Sequence, residues 1–306
     1  MPELPEVEVV RVGLEPAVDG SHVACVTVFD ERSLRRHEGP SEDFVQRLTG
    51  RLLRAPMRRG KFLWIPLAPE AEEGAGLDAR HAGAPAPTEA LVVHLGMSGQ
   101  VLLRDRGTDD ALTRIRIDIE HPVAGPLRLN FVDQRIFGSM SLDRLVPSSD
   151  HPDDAVPSQV VHIARDPLDP RFDDARFFAR LAAKNTTIKR ALLDQTLVSG
   201  IGNIYADESL WAARVHYDQP TGSLTRPRAR VLLSEVRAVL NRALAEGGTS
   251  FDSQYLNVNG QSGYFSHSLN AYGQQGKPCP RCGRPIVREQ FMNRGSHLCL
   301  RCQKVR

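Results

Sequence analysis

Apolar positions recur at helical spacing at the start of the chain, where Leu4, Val7, Val10, Leu14 and Val18 share one face. Glu3, Glu6 and Glu8 lie in the first turns, the end of a helix that favours acids. The pattern predicts an N-terminal helix over 3–18. It then changes to short β-type runs at 22–29, 61–67, 90–95, 100–104, 113–120 and 127–132. In the fifth run Ile115, Ile117 and Ile119 alternate with Arg114, Arg116 and Asp118, as a sheet with one wet face requires. Strands that follow one another without intervening helices predict an antiparallel sandwich or barrel-like domain. Helical patterns return at 173–184, 186–196, 204–213 and 226–246, the last ending at a glycine stop. The predicted class is α+β, a sandwich followed by a helical region.

Two stretches break these patterns. Residues 68–89 are rich in Ala, Gly, Pro and acid and read as a surface loop inserted between strands, with no catalytic residue expected there. Residues 146–158, polar and rich in proline, read as an interdomain linker. They divide the chain into a first domain over 1–145, a helical domain over 159–275 and a tail module over 276–306.

A chain of 306 residues with 41% hydrophobic residues buries a sizeable core and suits two domains better than one. The opening residues lack a basic stretch followed by an apolar run, and no apolar run approaches the ~20 residues that span a bilayer, so no membrane association is expected. The expected compartment is the cytoplasm, where five cysteines read as metal ligands or core residues rather than disulfides. Cys25, alone in an apolar segment, is expected to be buried. The net charge of +2 hides an asymmetry. From Lys277 onward eight Lys or Arg face one acid, giving +7, so the remainder carries −5. A basic tail module suits a polyanionic partner.

Cys279 and Cys282 form one CxxC knuckle, Cys299 and Cys302 a second, with sixteen residues between. Four thiolates at that spacing can close tetrahedrally around one ion, the arrangement of a structural zinc site. In Gly200-Ile-Gly202-Asn203, glycines precede a predicted helix. Two readings stand here: backbone amides and the Asn203 side chain approaching a phosphate, or a tight interhelical turn capped by Asn203.

Taken together, MPELPEVE at the start, RRGK at 58–61, HLGMSG at 94–99, DQRIFG at 133–138, the GxGNIYADESL turn, GYF at 263–265 and the four-cysteine tail occur in the order of the bacterial formamidopyrimidine-DNA glycosylase family, which the chain resembles over almost its whole length. The resemblance implies an N-terminal helix plus β-sandwich, then a helix–two-turn–helix domain and a zinc finger, with DNA held between them. It implies that Pro2, once Met1 is removed, is the nucleophile. An α-amine with pKa near ~8 is more often neutral than a lysine near ~10.4 and can attack a sugar C1′. Glu3 resembles the family's acid/base carboxylate, Glu6 a supporting acid and Lys61 the catalytic lysine, although by pattern alone Glu3 and Glu6 are ordinary first-turn acids. Met97, Arg135 and Phe137 resemble the residues that fill the gap left by an everted nucleotide. His94, Asn203 and Arg294 resemble phosphate contacts. The chain departs from the pattern at Ile136, where many relatives carry a basic residue, so one phosphate contact is expected to be missing. Residues 247–265 resemble the loop that closes over the everted base.

The implied activity is excision of oxidised purines from duplex DNA by a monomer, followed by β- and δ-elimination at the abasic site, with one structural zinc and no nucleotide cofactor. An endonuclease VIII-like enzyme for oxidised pyrimidines is disfavoured by Leu4, since that branch opens with glycine there. A non-catalytic zinc-ribbon DNA-binding protein is disfavoured by intact Pro2, Glu3 and Lys61.

Overall fold

The computed structural model describes residues 2–68, 86–249, 258 and 265–305. The expected inserted loop lies almost wholly outside the described residues, and so does most of 247–265. The chain forms two compact units, one of Met1–Pro2, Glu6–His162 and Phe251–Ser262, the other of Glu3–Pro5, Ile163–Ser250 and Gly263–Arg306.

The N-terminal helix α1, Leu4–Val18, forms as its periodicity predicts. From Val7 onward its apolar face enters the core of the first unit beside Ile115, Ile117, Ile119 and Phe131. Strands β1 (His22–Val28), β2 (Leu52–Leu53), β3 (Met57–Arg59), β4 (Phe62–Ala68), β5 (Glu89–His94), β6 (Gly99–Asp105), β7 (Thr113–His121), β8 (Gly125–Asp133), β9 (Ser139–Pro147) and β10 (Ala155–Pro157) build one antiparallel hydrogen-bonded sheet folded as a sandwich. Its order is β10-β9-β5-β4-β2-β1-β7-β8-β6, with β3 paired to β4. In β7 the three isoleucines are buried as alternation predicts. Asp118, on the face expected to be wet, is also buried and accepts from Arg128 Nε at 2.7 Å.

Two expectations change here, and one further helix appears. The 146–158 stretch is not a free linker: Ala155–Pro157 pairs with Leu145–Pro147, and the first unit runs on to His162. Polar composition concealed it because an edge strand needs few apolar positions and tolerates proline. Helix α2, Ser41–Leu48, follows Pro40 and buries only Phe44 and Leu48, too few repeats to register as periodicity. Cys25 is exposed rather than buried, because a register shift between Val23 and Cys25 in the β1–β7 pairing turns it outward.

In the second unit, α3 (Asp174–Ala183), α4 (Ile188–Leu193), α5 (Asn203–Ala212) and α6 (Arg226–Ala245) fall where periodicity places helices. Their core gathers Leu4, Ile188, Leu192, Tyr205, Leu210, Val236 and Leu240. A two-stranded ribbon, β11 (Val287–Phe291) and β12 (Arg294–Leu298), completes the unit. Among the described residues, no helix is long and apolar enough to cross a membrane.

Candidate DNA-repair site

In the first unit Lys61 occupies the two-residue hairpin turn between β3 and β4, whose ends Arg59 and Phe62 pair. Gly60 at φ 58° supplies the positive φ that such a turn needs at its first central position. His94 ends β5 directly across from Phe62, and their rings stack with centroids 4.8 Å apart. Its pKa falls from 6.5 to about 4, chiefly through burial, then through Arg36. Arg35 and Lys61 add repulsion, and a bond to the Lys61 backbone opposes only part of it. At neutral pH His94 is therefore a neutral imidazole. Its Nδ1 is buried with no partner among the described residues.

The turn Leu95–Ser98 and the loop Asp133–Gly138 hold Met97, Arg135 and Phe137. Met97 and Phe137 are each 46% exposed, unusual for large apolar side chains, and Arg135 is exposed between them in sequence. What fixes them is Asp133, fully buried. Its carboxylate accepts from Ser98 Oγ at 2.5 Å, Arg135 N at 3.1 Å and Gly138 N at 2.6 Å, so one charge ties the two loops together. Gly96, at φ 62°, lies so close to the Phe137–Gly138 peptide that a Cβ would collide with it. The three residues matched to the eversion set thus belong to one braced ridge. Pro2 is buried within the same unit.

In the second unit the Gly200–Asn203 turn departs from both sequence readings. The N–H groups of Gly202, Ile204 and Tyr205 donate to the buried Glu3 carboxylate, the latter two at 3.0 and 3.4 Å. A protein carboxylate, not a phosphate, occupies the start of α5 and meets its positive dipole end. Any Cβ on Gly202 would strike that carboxyl, which is why the residue is glycine. Gly202, not Asn203, is the capping residue. Asn203 instead donates from Nδ2 to the Gly295 carbonyl at 3.2 Å, with its Oδ1 buried and unpartnered. That bond brings Asn203 to the turn carrying Arg294, which is exposed.

Three residues behind this turn escaped the sequence reading. Lys189, on α4 and fully buried, pairs with Asp207 on α5 at 2.6 Å. Asp207 also accepts from Ser296 Oγ at 3.0 Å and His297 N at 2.8 Å, so it joins two helices to β12. Burial pushes the Lys189 pKa down while Asp207 pulls it back up. Glu208 accepts the backbone amides of Asn270, Ala271 and Tyr272, at 2.7 to 3.1 Å. A lone lysine in a helical pattern carries no signal of burial. Two adjacent acids in a predicted helix, Asp207-Glu208, were the only visible hint.

The Sγ atoms of Cys279, Cys282, Cys299 and Cys302 all lie within 4.8 Å of one another, flanking the ribbon from both ends. A tetrahedron of thiolates at ~2.3 Å from a central ion has edges of about 3.8 Å, so the four fit one structural zinc with no open position. Trp211 Nε1 donates to Cys279 Sγ at 3.4 Å and Arg281 stacks on the Trp211 ring at 4.1 Å, joining the zinc site to α5.

Residues 1–140 match the formamidopyrimidine-DNA glycosylase N-terminal domain, 163–254 its H2TH domain, and 276–305 the zinc finger found in FPG and IleRS. The formamidopyrimidine-DNA glycosylase of Leifsonia xyli is 61% identical, and the alignment spans 100% of both chains. Among solved structures, the Lactococcus lactis Fpg in complex with abasic-site DNA is 27% identical with TM-score 0.78, covering 99% of each chain. The wild-type L. lactis Fpg (MutM) with an N7-benzyl-Fapy-dG DNA is 28% identical with TM-score 0.78, covering 99% of this chain and 100% of that one. The chain belongs to the formamidopyrimidine-DNA glycosylase family.

Proposed function

We infer that the protein is a bifunctional DNA glycosylase and abasic-site lyase that removes oxidised purines, 8-oxoguanine and formamidopyrimidines, from duplex DNA. Beyond family membership, the observation that carries this reading is the braced ridge of Met97, Arg135 and Phe137. Two large apolar side chains held half-exposed by a buried carboxylate have no folding purpose, but they suit a wedge that replaces an everted nucleotide. Arg135 between them can offer paired hydrogen bonds to the orphaned base.

In this reading Met1 is removed and the Pro2 amine attacks C1′. The glycosidic bond breaks with its electron pair on the base, which leaves after protonation. The sugar ring opens and C1′ is held to Pro2 as an iminium. Loss of a C2′ proton then expels the 3′ phosphate, and loss of a C4′ proton expels the 5′ phosphate, so both eliminations conserve electrons without an external oxidant. Glu3 serves as acid/base, and its three backbone donors hold the residue adjacent to the nucleophile in place. Lys61 serves as the catalytic lysine near the phosphate and the base, and His94, Asn203 and Arg294 contact phosphates. The protein works as a monomer in the bacterial cytoplasm, where reducing conditions keep the zinc thiolates intact.

Borohydride added during turnover tests the chemistry. It should reduce the iminium and leave protein covalently joined to DNA, with the adduct mapped to Pro2. Retaining Met1 turns that amine into an amide and should eliminate trapping in a protein that still binds duplex. Crosslinking that persists with Met1 attached and maps to Lys61 would refute the assignment.

A further inference from the structure

The Asp133–Gly138 loop must satisfy demands that oppose one another. It presents Phe137 and Arg135 outward, so little apolar burial holds it. Ile136 adopts φ 55°, in the left-handed region where a branched side chain is seldom found. Left to itself, such a loop would relax.

From the inside, Asp133 holds the amides of Arg135 and Gly138. The carbonyls point elsewhere and converge on Arg35. Its Nη1 donates to the oxygens of Ile136 and Gly138, each at 2.8 Å, and its Nη2 donates to that of Phe137. Three successive carbonyls on one guanidinium use the planar fork of donors that only arginine has. Arg35 follows a short helical turn, Glu31–Leu34, capped by Asp30. Asp30 also pairs with Arg114 at 3.4 Å, and Arg114 Nε donates to the Asp133 carbonyl at 2.8 Å. Amide groups are thus fixed from one side of the loop by Asp133 and carbonyl groups from the other by Arg35, which lies 101 to 103 residues away in sequence.

We propose that Arg35 is a positioning residue for base eversion. It holds the carbonyls of residues 136–138 so that the strained turn at Ile136, and with it Phe137 and Arg135, keeps its insertion geometry before DNA arrives. The inference rests on the wedge role given to this ridge in the proposed function. Preorganisation of this kind matters only where the wedge must work. An abasic nucleotide is already partly unstacked and asks less of it.

Single-turnover rates on a duplex carrying an oxidised purine opposite cytosine, and on the same duplex with an abasic site, give the test. Wild-type protein inactive on both would refute the proposed function itself and is read independently of the variants. With wild type active, releasing the strained turn by Arg35→Ala should slow lesion excision by about 5- to 30-fold and abasic cleavage by less than about 3-fold. Arg35→Lys, which keeps charge and stem but not the fork, should show the same selective loss, and it carries the comparison if Arg35→Ala fails to fold. Asparagine tolerates the left-handed region, so Ile136→Asn added to Arg35→Ala should recover most of the loss. Equal losses on both substrates would overturn the proposal, as would absence of recovery. Weaker binding to undamaged duplex, with a salt slope reduced by about 1, would overturn it in favour of a phosphate contact by Arg35.

Discussion

His94 in the first unit and Lys189 in the second are both ionisable groups drawn out of water, and they meet that condition in opposite ways. Around His94 the neighbouring charges are cationic, Arg36, Arg35 and Lys61, and burial and repulsion act together. The imidazole gives up its proton, with its pKa held at about 4. Lys189 is more deeply buried, yet Asp207 stands 2.6 Å away and opposes the loss of its proton. A side chain that contributes a hydrogen bond can afford neutrality, whereas one that ties helices together is worth burying as an ion only with its counter-ion. The contrast extends to the units. In the first, the exposed Met97, Arg135 and Phe137 stand on an apolar sandwich and are braced through the buried Asp133 carboxylate. In the second, the segment carrying Arg294 is held by a buried ion pair and by metal.

If that description is right, metal is the largest single support of the second unit's tail. Zinc binding by four-thiolate peptides is worth about 10–16 kcal/mol, more than the net stability of most domains. Cys282→Ser should release the ion, unfold the ribbon and reduce duplex affinity below detection, while the core around Phe131 and Ile117 stays folded. Metal content, affinity and thermal melting read this together. Chelation of the wild-type protein should reproduce it if the variant expresses poorly. Normal duplex binding with no metal bound would break the comparison.

The ion pair comes next. Removing one partner of a buried pair costs about 3–5 kcal/mol, because the other is left charged without compensation. Lys189→Met should therefore destabilise by that order, and Asp207→Asn should do the same while also slackening Ser296 and His297. The double variant should be less destabilised than the sum of the two. Denaturant unfolding of the four proteins gives the coupling directly. Strict additivity would mean that the two groups stabilise the fold independently and that the pair is incidental.

The elements with repeated apolar positions were legible beforehand: α1, six strands and four helices lie within three residues of where periodicity puts them. Much of what was missed lacks repetition, although β9 alternates Met140 and Leu142 with Ser141 and Asp143. Helix α2 has two buried apolar positions, β10 is an edge strand of three residues, and the outward turn of Cys25 follows from a register shift that no local pattern records. At the site, motif order supplied the names of the residues but not their partners. Glu3 reaches residues 202–205, Arg35 reaches 136–138 and Lys189 reaches 207, each through pairings that depend on tertiary position. The glycine-rich turn at 200–203 misled for the same reason. Its free amides were readable, but the carboxylate that fills them lies some 200 residues upstream.

The smallest effect tests the other half of the comparison, the neutral state of His94. An unfolded histidine titrates at about 6.5, and the folded one at about 4. Between these pH values the unfolded chain binds a proton that the folded chain refuses, so stability rises with pH across this window and is lost as pH falls from 6.5 towards 4. At 1.36 kcal/mol per pH unit the loss is on the order of 2–3 kcal/mol. His94→Gln keeps a donor but cannot titrate. Its unfolding free energy should match wild type to within about 1 kcal/mol at pH 7 and fall less steeply below pH 6, so that the two curves diverge by that order near pH 4. Neutrality also makes a claim about DNA. A neutral imidazole releases no counterion, so His94→Gln should leave the salt dependence of duplex binding unchanged, whereas Arg294→Ala should reduce its slope by about 1. Parallel stability curves would mean that folding leaves the His94 pKa where it is in the unfolded chain, and a salt slope lowered in His94→Gln would mean that His94 carries a charge against DNA; either result would show that its buried, cationic surroundings do not decide its state.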